Sequence, residues 1–219
     1  IINQTLGCCR LIYNKGLAMR NEAYQNGSKI GYSQTSTMLT ELKKQDDFVF
    51  LKVVDSIALQ QSLRDLDRGF VNFFQKRARH PQFKSKHNRH QSYRTINQSN
   101  NIRIVGKYIK LPKLGYVKVR QSMEVGKINN VTIEHTPTGK YFAVLNIEFE
   151  PQPMNNKGGK IGIDVGIKEF YSDSNGNEVP NPKYLEKSMR KLMREQRKLS
   201  RKEKGSKNRN KQRVKVALV

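Results

Sequence analysis

KIGIDVGIKEF (160–170) is the stretch from which the rest of the chain can be read. Its apolar run reads as a short buried strand, and it delivers one carboxylate, Asp164, at the strand's exit. Gly166 follows, and a residue without a Cβ lets a ligand's backbone approach closely. A carboxylate held at a sheet's carboxyl edge suits a catalytic Mg²⁺, which activates a water and stabilises a leaving oxygen. One carboxylate does not complete such a site, because hard cations of this kind take two or more.

The surroundings of that acid are strongly cationic. The 219 residues carry 42 Lys and Arg against 18 Asp and Glu, a formal net charge of +24. Such an excess repels itself unless a polyanion neutralises it, so nucleic acid is the expected partner. The charge is also uneven. Between Asp67 and Glu124 there are fourteen Lys and Arg and no acid, and Lys183–Lys215 holds fifteen against three acids. A single charge run is ordinarily a solvated helix face or a disordered tail. Two runs separated by apolar, strand-like sequence argue for a binding surface.

No apolar stretch approaches the roughly 20 residues of a membrane helix, and IINQTLGCC has no charged n-region of a secretion signal. No membrane partner is expected. Cys8 and Cys9 are adjacent, so on a helix they point to different faces. With no CxxC pair, zinc is not expected in this span. They read as free thiols, Cys9 in a helix core, which fits a reducing cytoplasm. The chain opens on Ile1 and stops at Val219 inside the helical pattern RVKVALV, as a piece of a longer protein would.

Residues 1–94 read as a helical domain. Ile2, Leu6, Cys9, Tyr13 and Leu17 recur at helical spacing, and Gly27 is a stop signal. A second helix opens at Tyr32-Ser33 with Ser33 as its N-cap and Met38, Leu39 and Leu42 inward. A third is capped by Asp55 or Ser56. Its stripe is Leu59, Leu63, Leu66, Phe70 and Phe73, widened by Phe74, and Pro81 ends it. HPQFKSKHNRHQSYR (80–94) has no period and reads as a nucleic-acid-contacting loop. Lys84, Lys86, Arg89 and Arg94 there, with Lys76, Arg77 and Arg79 just before, are candidates to neutralise phosphates, and Phe83 or Tyr93 to stack on bases. The irregular spacing of its three histidines argues against a metal site.

Residues 101–150, within a domain read over 95–155, switch to period two. Strands are expected at 102–105, 108–111 and 116–120, then a hairpin of VTIEHT, a Pro137-Thr138-Gly139 turn and KYFAVLNIEFE, with Tyr141, Ala143, Leu145, Ile147 and Phe149 on one face. This predicts a small antiparallel barrel or sandwich, followed by the linker PQPMNNKGGK (151–160). In 156–219, IGIDVGI and EFYSD read as strands and SNGN as a hairpin turn, Asn175-Gly176 supplying the φ > 0 it needs. From Tyr184 a helix sets Leu185, Met189, Leu192 and Leu199 on the side expected to pack on the sheet. The opposite side carries Lys187, Arg190, Lys191, Arg194, Arg197, Lys198, Arg201 and Lys202. Gly205-Ser206 interrupts it before a second basic helix with Lys207 and Arg209.

From the motif alone Asp164 keeps three readings. It suits a metal ligand. GIDxG after a strand also opens the phosphate loop of actin-like ATPases and sugar kinases, although those have Thr or Ser where Ile167 stands. It also suits an Asp that merely caps a turn.

GCCRLIYNKGLAMRNEAY (7–24), SIALQQSLRDLDRGFVNFF (56–74), KYIKLPKLGYVKVR (107–120), TPTGKYFAVLNIE (136–148) and GIDVGIKEFYSDSNGNEVPNPKYLEKSMRKLMREQRKLSRKEKGSKNRNKQRVKVA (162–217) together resemble TnpB, also called OrfB. This is a transposon-encoded family related to the compact type V CRISPR effectors. The resemblance runs over essentially the whole chain in the family's order. It implies an α+β, multi-part fold: a helical recognition lobe, a wedge barrel over 95–155, then the start of an RNase H-like (RuvC) nuclease domain.

The resemblance further implies an RNA-guided DNA endonuclease whose partners are a guide RNA and a target DNA. Its cofactor would be Mg²⁺, used as two ions in the full-length protein. Asp164 matches the first catalytic aspartate and so a metal ligand. The family's later Glu, second Asp and zinc ribbon have no counterpart before Val219, so this span by itself is not expected to cut DNA. Glu169 and Asp173 are nearby acids that nothing maps to the missing roles. A prokaryotic, cytoplasmic, nucleoid-associated location follows. The alternative is a nuclease-dead, RNA-guided DNA-binding protein acting as a repressor. A basic scaffold of the ribosomal-protein kind would explain the charge and leave Asp164 without a task.

Overall fold

A computed structural model describes residues 1–120, 125–151, 153 and 158–219. The fold is mixed α+β, with helices at the N-terminus and small antiparallel sheets after them. It divides into two compact units, Ile1–Phe149 and Glu150–Val219.

In the first unit, α1 (Ile2–Gln25) buries Leu6, Cys9, Tyr13 and Leu17 as their spacing predicts, and also Cys8, Ile12 and Gly16. It ends where Gly27 turns left-handed at φ 73°. The next helix, α2 (Tyr32–Leu42), is capped by Gly31 and not by Ser33. Gly31 N donates to Gln34 Oε1 at 3.0 Å, so the reciprocal bond from the third helical position fixes the cap two residues earlier than the hydroxyl suggested. A 3₁₀ segment at Asp46–Lys52, unexpected from the sequence, buries Leu51. Asp55 caps α3 (Ser56–Phe74) by accepting from Ile57 N at 3.0 Å.

Two expectations about α3 are corrected. It ends at Phe74, seven residues before Pro81, because Lys76 takes a left-handed φ of 58° and its N–H turns back to Phe73 O. Pro81 instead folds onto the helix, where a Cβ added at Gly69 would stand 3.4 Å from its ring. Phe74 is 69% exposed and does not widen the buried stripe.

The strands begin earlier than expected. Residues 91–96 form β1 (Gln91–Ile96), not loop, so a boundary at 94/95 falls inside a strand. Tyr93 and Thr95 point inward and polar neighbours outward, and β5 (Ile128–His135) is paired on one edge by β1 and on the other by β6 (Tyr141–Ile147). A second antiparallel sheet is the meander β2 (Arg103–Val105), β3 (Tyr108–Leu111) and β4 (Gly115–Lys118). Among the described residues these remain separate three-stranded sheets and do not close into a barrel. On β6, Ala143, Leu145 and Ile147 face the core. Phe149 lies past the strand's end at 76% exposure, a second correction to the expected face.

Helices and both sheets bury one continuous core. It runs through Leu6, Cys9 and Ile12 of α1, Leu59 and Leu63 of α3, Tyr93, Ile109, Val131 and Ile133. Asn97 ties the two sheets together: its amide donates to Ile102 O at 2.9 Å and Ile128 O at 2.8 Å, and its carbonyl accepts from Ile102 N at 2.9 Å.

The second unit holds β7 (Ile163–Asp164), β8 (Glu169–Asp173), β9 (Glu178–Pro180), α4 (Tyr184–Ser200) and α5 (Lys207–Ala217). The linker expected at 151–160 lies partly outside the described residues. IGIDVGI is not a buried strand. Only two of its residues pair, on one side, with β8. Ile163 and Ile167 are 59% and 92% exposed, because a two-residue edge ladder covers neither face. The apolar side of α4 is likewise not packed as expected. Leu185 and Met189 are exposed and Leu192 and Leu199 half-buried, and the helix rests on α5 through its C-terminal half.

Candidate nucleic-acid interface and carboxylate site

The loop between α3 and β1 is built from side chain–backbone bonds that its irregular sequence hides. Asn14 on α1 clamps it, donating to Lys84 O at 2.9 Å and accepting from Lys84 N at 2.8 Å. Ser85 Oγ and Asn88 Oδ1 accept from His87 N and His90 N, as short polar side chains do in tight turns. Gln91 gathers the loop by donating to Lys86 O and Asn88 O, and its own oxygen accepts from Arg10 at 2.8 Å. The result is an ordered platform from which Lys76, Arg77, Arg79, Lys86 and Arg89 project, exposed and without an acidic partner.

Two candidates on this platform are engaged within the protein. The Lys84 ammonium sits 4.3 Å from the Tyr13 ring centroid, a cation–π contact, and burial lowers its pKa from the ordinary lysine value. Arg94 donates to Asp65 at 2.5 Å and to Gln61 at 3.4 Å, bracing β1 on α3. Phe83 is exposed, whereas Tyr93 is buried in the core and is not available to stack on a base. Burial pushes the Tyr93 phenol and the Cys9 thiol well above their usual ranges, so both stay neutral. Among the described residues no group of His, Cys, Asp or Glu gathers as a metal site.

In the second unit, α4 and α5 form a basic hairpin pinned at one acid. Glu195 is buried and receives bonds from Lys198 at 2.8 Å and Gln212 at 2.7 Å, which hold its carboxyl down to about 2. Arg194 stands 3.6 Å from it, and Arg190 pairs with Glu186 one turn away. Arg209 donates to the carbonyls of Leu199 and Lys202 at 2.9 and 2.8 Å, closing the open end of α4. Lys202 is half-buried beside this closure. Lys187, Lys191, Arg197, Arg201 and Lys207 remain exposed and unpaired.

Asp164 faces solvent beside this basic sequence, its side chain making no hydrogen bond or ion pair among the described residues. It does not cap a turn. That task belongs to Asp173, which accepts from Asn177 Nδ2, Asn177 N and Asn175 N, and those bonds lower its pKa. Glu169 lies 3.9 Å from Lys168. Asp164 is a disengaged carboxylate, and Glu178, which shares the Ser172 register across the sheet, is exposed and unpaired as well; Asp164 fits as a part of a Mg²⁺ site and not as a whole one.

Fold and surface thus define a class: a strongly basic α+β protein with its unpaired charge on an ordered loop and a helical hairpin. Residues 131–219 match the OrfB family model described as "Probable transposase", and residues 1–29 match that family's "Helix-turn-helix domain". A Streptomyces pristinaespiralis protein named "Putative RNA-guided DNA endonuclease" is 36% identical over all of this chain and 55% of its own length. "Putative RNA-guided DNA endonuclease InsQ" of Escherichia coli K12 is 36% identical over 96% of this chain and 52% of its own. "Virulence protein VsdF" of Salmonella dublin is 36% identical over 39% of this chain and 81% of its own. The chain belongs to the OrfB (TnpB) transposase family. It spans about half the length of the two endonuclease-named relatives. Among the described residues no helix is long and apolar enough to cross a membrane.

Proposed function

We propose that this chain is the nucleic-acid-holding part of an RNA-guided DNA endonuclease, its partners a guide RNA and a target DNA. The supporting observation is the collinear 36% identity, over the whole chain, to a protein named for that activity. In this reading the helices of 1–94 act as a recognition lobe, 95–155 as a wedge whose sheets belong to a barrel, and 156–219 as the opening of a RuvC-like domain. The exposed cations of the loop and of the α4–α5 hairpin neutralise phosphates. Asp164 contributes one carboxylate to Mg²⁺. The metal supplies water activation and leaving-group stabilisation for two-metal hydrolysis in the full-length protein. What this chain's own residues do is hold the strand and present that carboxylate.

A second reading is a nuclease-dead RNA-guided protein that occupies DNA as a repressor. Asp164→Ala in the full-length protein separates the two. Asp164 is exposed, so the change leaves folding within about 0.5 kcal/mol. Under the nuclease reading, cleavage disappears while RNA-guided DNA binding is retained. Retained cleavage removes Asp164 from the active site. An unsubstituted full-length protein that binds its target but never cuts it with Mg²⁺ leaves the repressor reading standing.

A further inference from the structure

A cavity of about 840 Å³ opens between the C-terminal ends of α1 and α3 in the first unit, within the roughly 300–1,000 Å³ of ligand sites. Tyr24 and Phe74 line it with their rings exposed, and Arg20, Lys29, Phe70 and His80 complete it. No carboxylate is among its lining residues.

The aromatic floor is packed ring against ring. His80 stands edge-on to Phe70 at 5.3 Å and to Phe73 at 5.2 Å. Its Nδ1 lies 2.9 Å from Pro81 O. A carbonyl only accepts, so Nδ1 is the donor in this contact. Arg20 covers the Phe70 ring at 4.1 Å while bonded to Asp67. Phe74 packs 5.3 Å from Phe73 and keeps an exposed ring surface. Lys76, Arg77 and Arg79 lie within five residues after Phe74, exposed and unpaired.

We propose that this cavity takes one unpaired base of an RNA strand. The base stacks on Phe74 and Tyr24, and the flanking phosphates meet Lys29, Lys76 and Arg77. Aromatic rings beside a cationic track are the chemistry that holds single-stranded nucleic acid. Structured RNA offers bases splayed out of loops and bulges, with 2′-hydroxyls for polar neighbours such as Asn21 and Ser28. The proposal rests on the polyanion-binding reading above and adds to it a specific base-accepting site.

The test uses the 219-residue chain and three probes: an RNA hairpin with one bulged 2-aminopurine, the same hairpin fully paired, and the bulged hairpin in DNA. The bulged RNA is expected to bind tighter than the paired one, with its fluorescence quenched by stacking. Phe74→Ala and Tyr24→Ala, both at exposed positions, each weaken the bulged RNA on the order of tenfold and leave the paired hairpin unchanged. Equal affinity for bulged and paired RNA, or no loss on either substitution, overturns the pocket while leaving polyanion binding intact. The same preference and loss on the DNA hairpin overturns the assignment to RNA. Failure of the unsubstituted chain to bind any of the three overturns both readings together.

Discussion

Replacing Lys187, Lys191, Arg197, Arg201 and Lys207 together by Gln asks whether the α4–α5 hairpin reads phosphate. All five are exposed and without acidic partners, so their removal breaks no ion pair within the protein. Each phosphate neutralised on a duplex contributes about −0.9 to the slope of log K against log salt, so five contribute about −4.5. Between 50 and 200 mM salt that slope costs about 500-fold in affinity through these residues alone. Titrating a labelled, structured RNA by fluorescence anisotropy across that range measures it. The variant is expected to lose most of that slope, and its affinity to drop most at low salt. Arg209→Gln is the matching control. Arg209 closes α4, so its replacement lowers the hairpin's stability and changes the slope by less than one unit. An unchanged slope in the fivefold variant refutes the assignment of these cations to phosphate. So does a larger slope change in the Arg209 control.

Gly16→Ala places a Cβ 2.8 Å from Leu63 Cδ2 and 3.1 Å from Leu66 Cδ2, both on fully buried side chains. Overpacking of about 1–3 kcal/mol outweighs a helix-propensity gain of about 1 kcal/mol, so thermal unfolding falls by a few degrees. A rise contradicts the close α1–α3 crossing. Asn97→Ala removes three bonds and leaves Ile102 N and two carbonyls unpaired, which costs about 2–3 kcal/mol by denaturant titration. A loss below about 0.5 kcal/mol would show that the sheets do not depend on it. Glu195 titrates near 2 in the folded hairpin against an ordinary 4.5. A depressed carboxyl contributes stability that is present above the unfolded pKa and lost as pH falls from about 4.5 towards 2. Helical signal from the α4–α5 hairpin therefore declines over that window, and Glu195→Gln flattens the decline. An identical acid profile in the variant argues against the Lys198 and Gln212 bonds.

The parts of the fold legible in the sequence are those set by local period. α1, α3 and the 128–147 hairpin stand close to where apolar spacing put them. β1 was not legible, because QSYRTI continues a polar, aperiodic run. What makes it a strand is the edge of β5, more than thirty residues further on. IGIDVGI misled in the other direction. A continuous apolar run is the mark of a strand covered on both faces, but these residues gain only a short ladder and stay exposed. The candidate cations divide on grounds no single stretch shows. Arg94 meets Asp65 across 29 residues and Arg209 meets carbonyls of the preceding helix, while Lys187 and Lys191 look alike in sequence and meet nothing. The aromatic cavity is hidden in the sequence because Phe74 adjoins the apolar stripe of α3 and reads as core. Only the left-handed Lys76 and the return of His80 show that its ring faces outward.

The single core beneath helices and sheets has a consequence for biosynthesis. The α1 residues that join the sheets, Leu6, Cys9 and Ile12, are translated by Ile12, whereas their β partners Val131 and Ile133 follow more than a hundred residues later. At ribosomal speeds of 5–20 residues per second, this end of the helix waits about 6–24 s for its sheet partners, whereas Leu59 and Leu63 of α3 arrive within about 10 s. Trigger-factor-like holdases that shield apolar segments at the exit tunnel would therefore govern how much of this protein a cell accumulates.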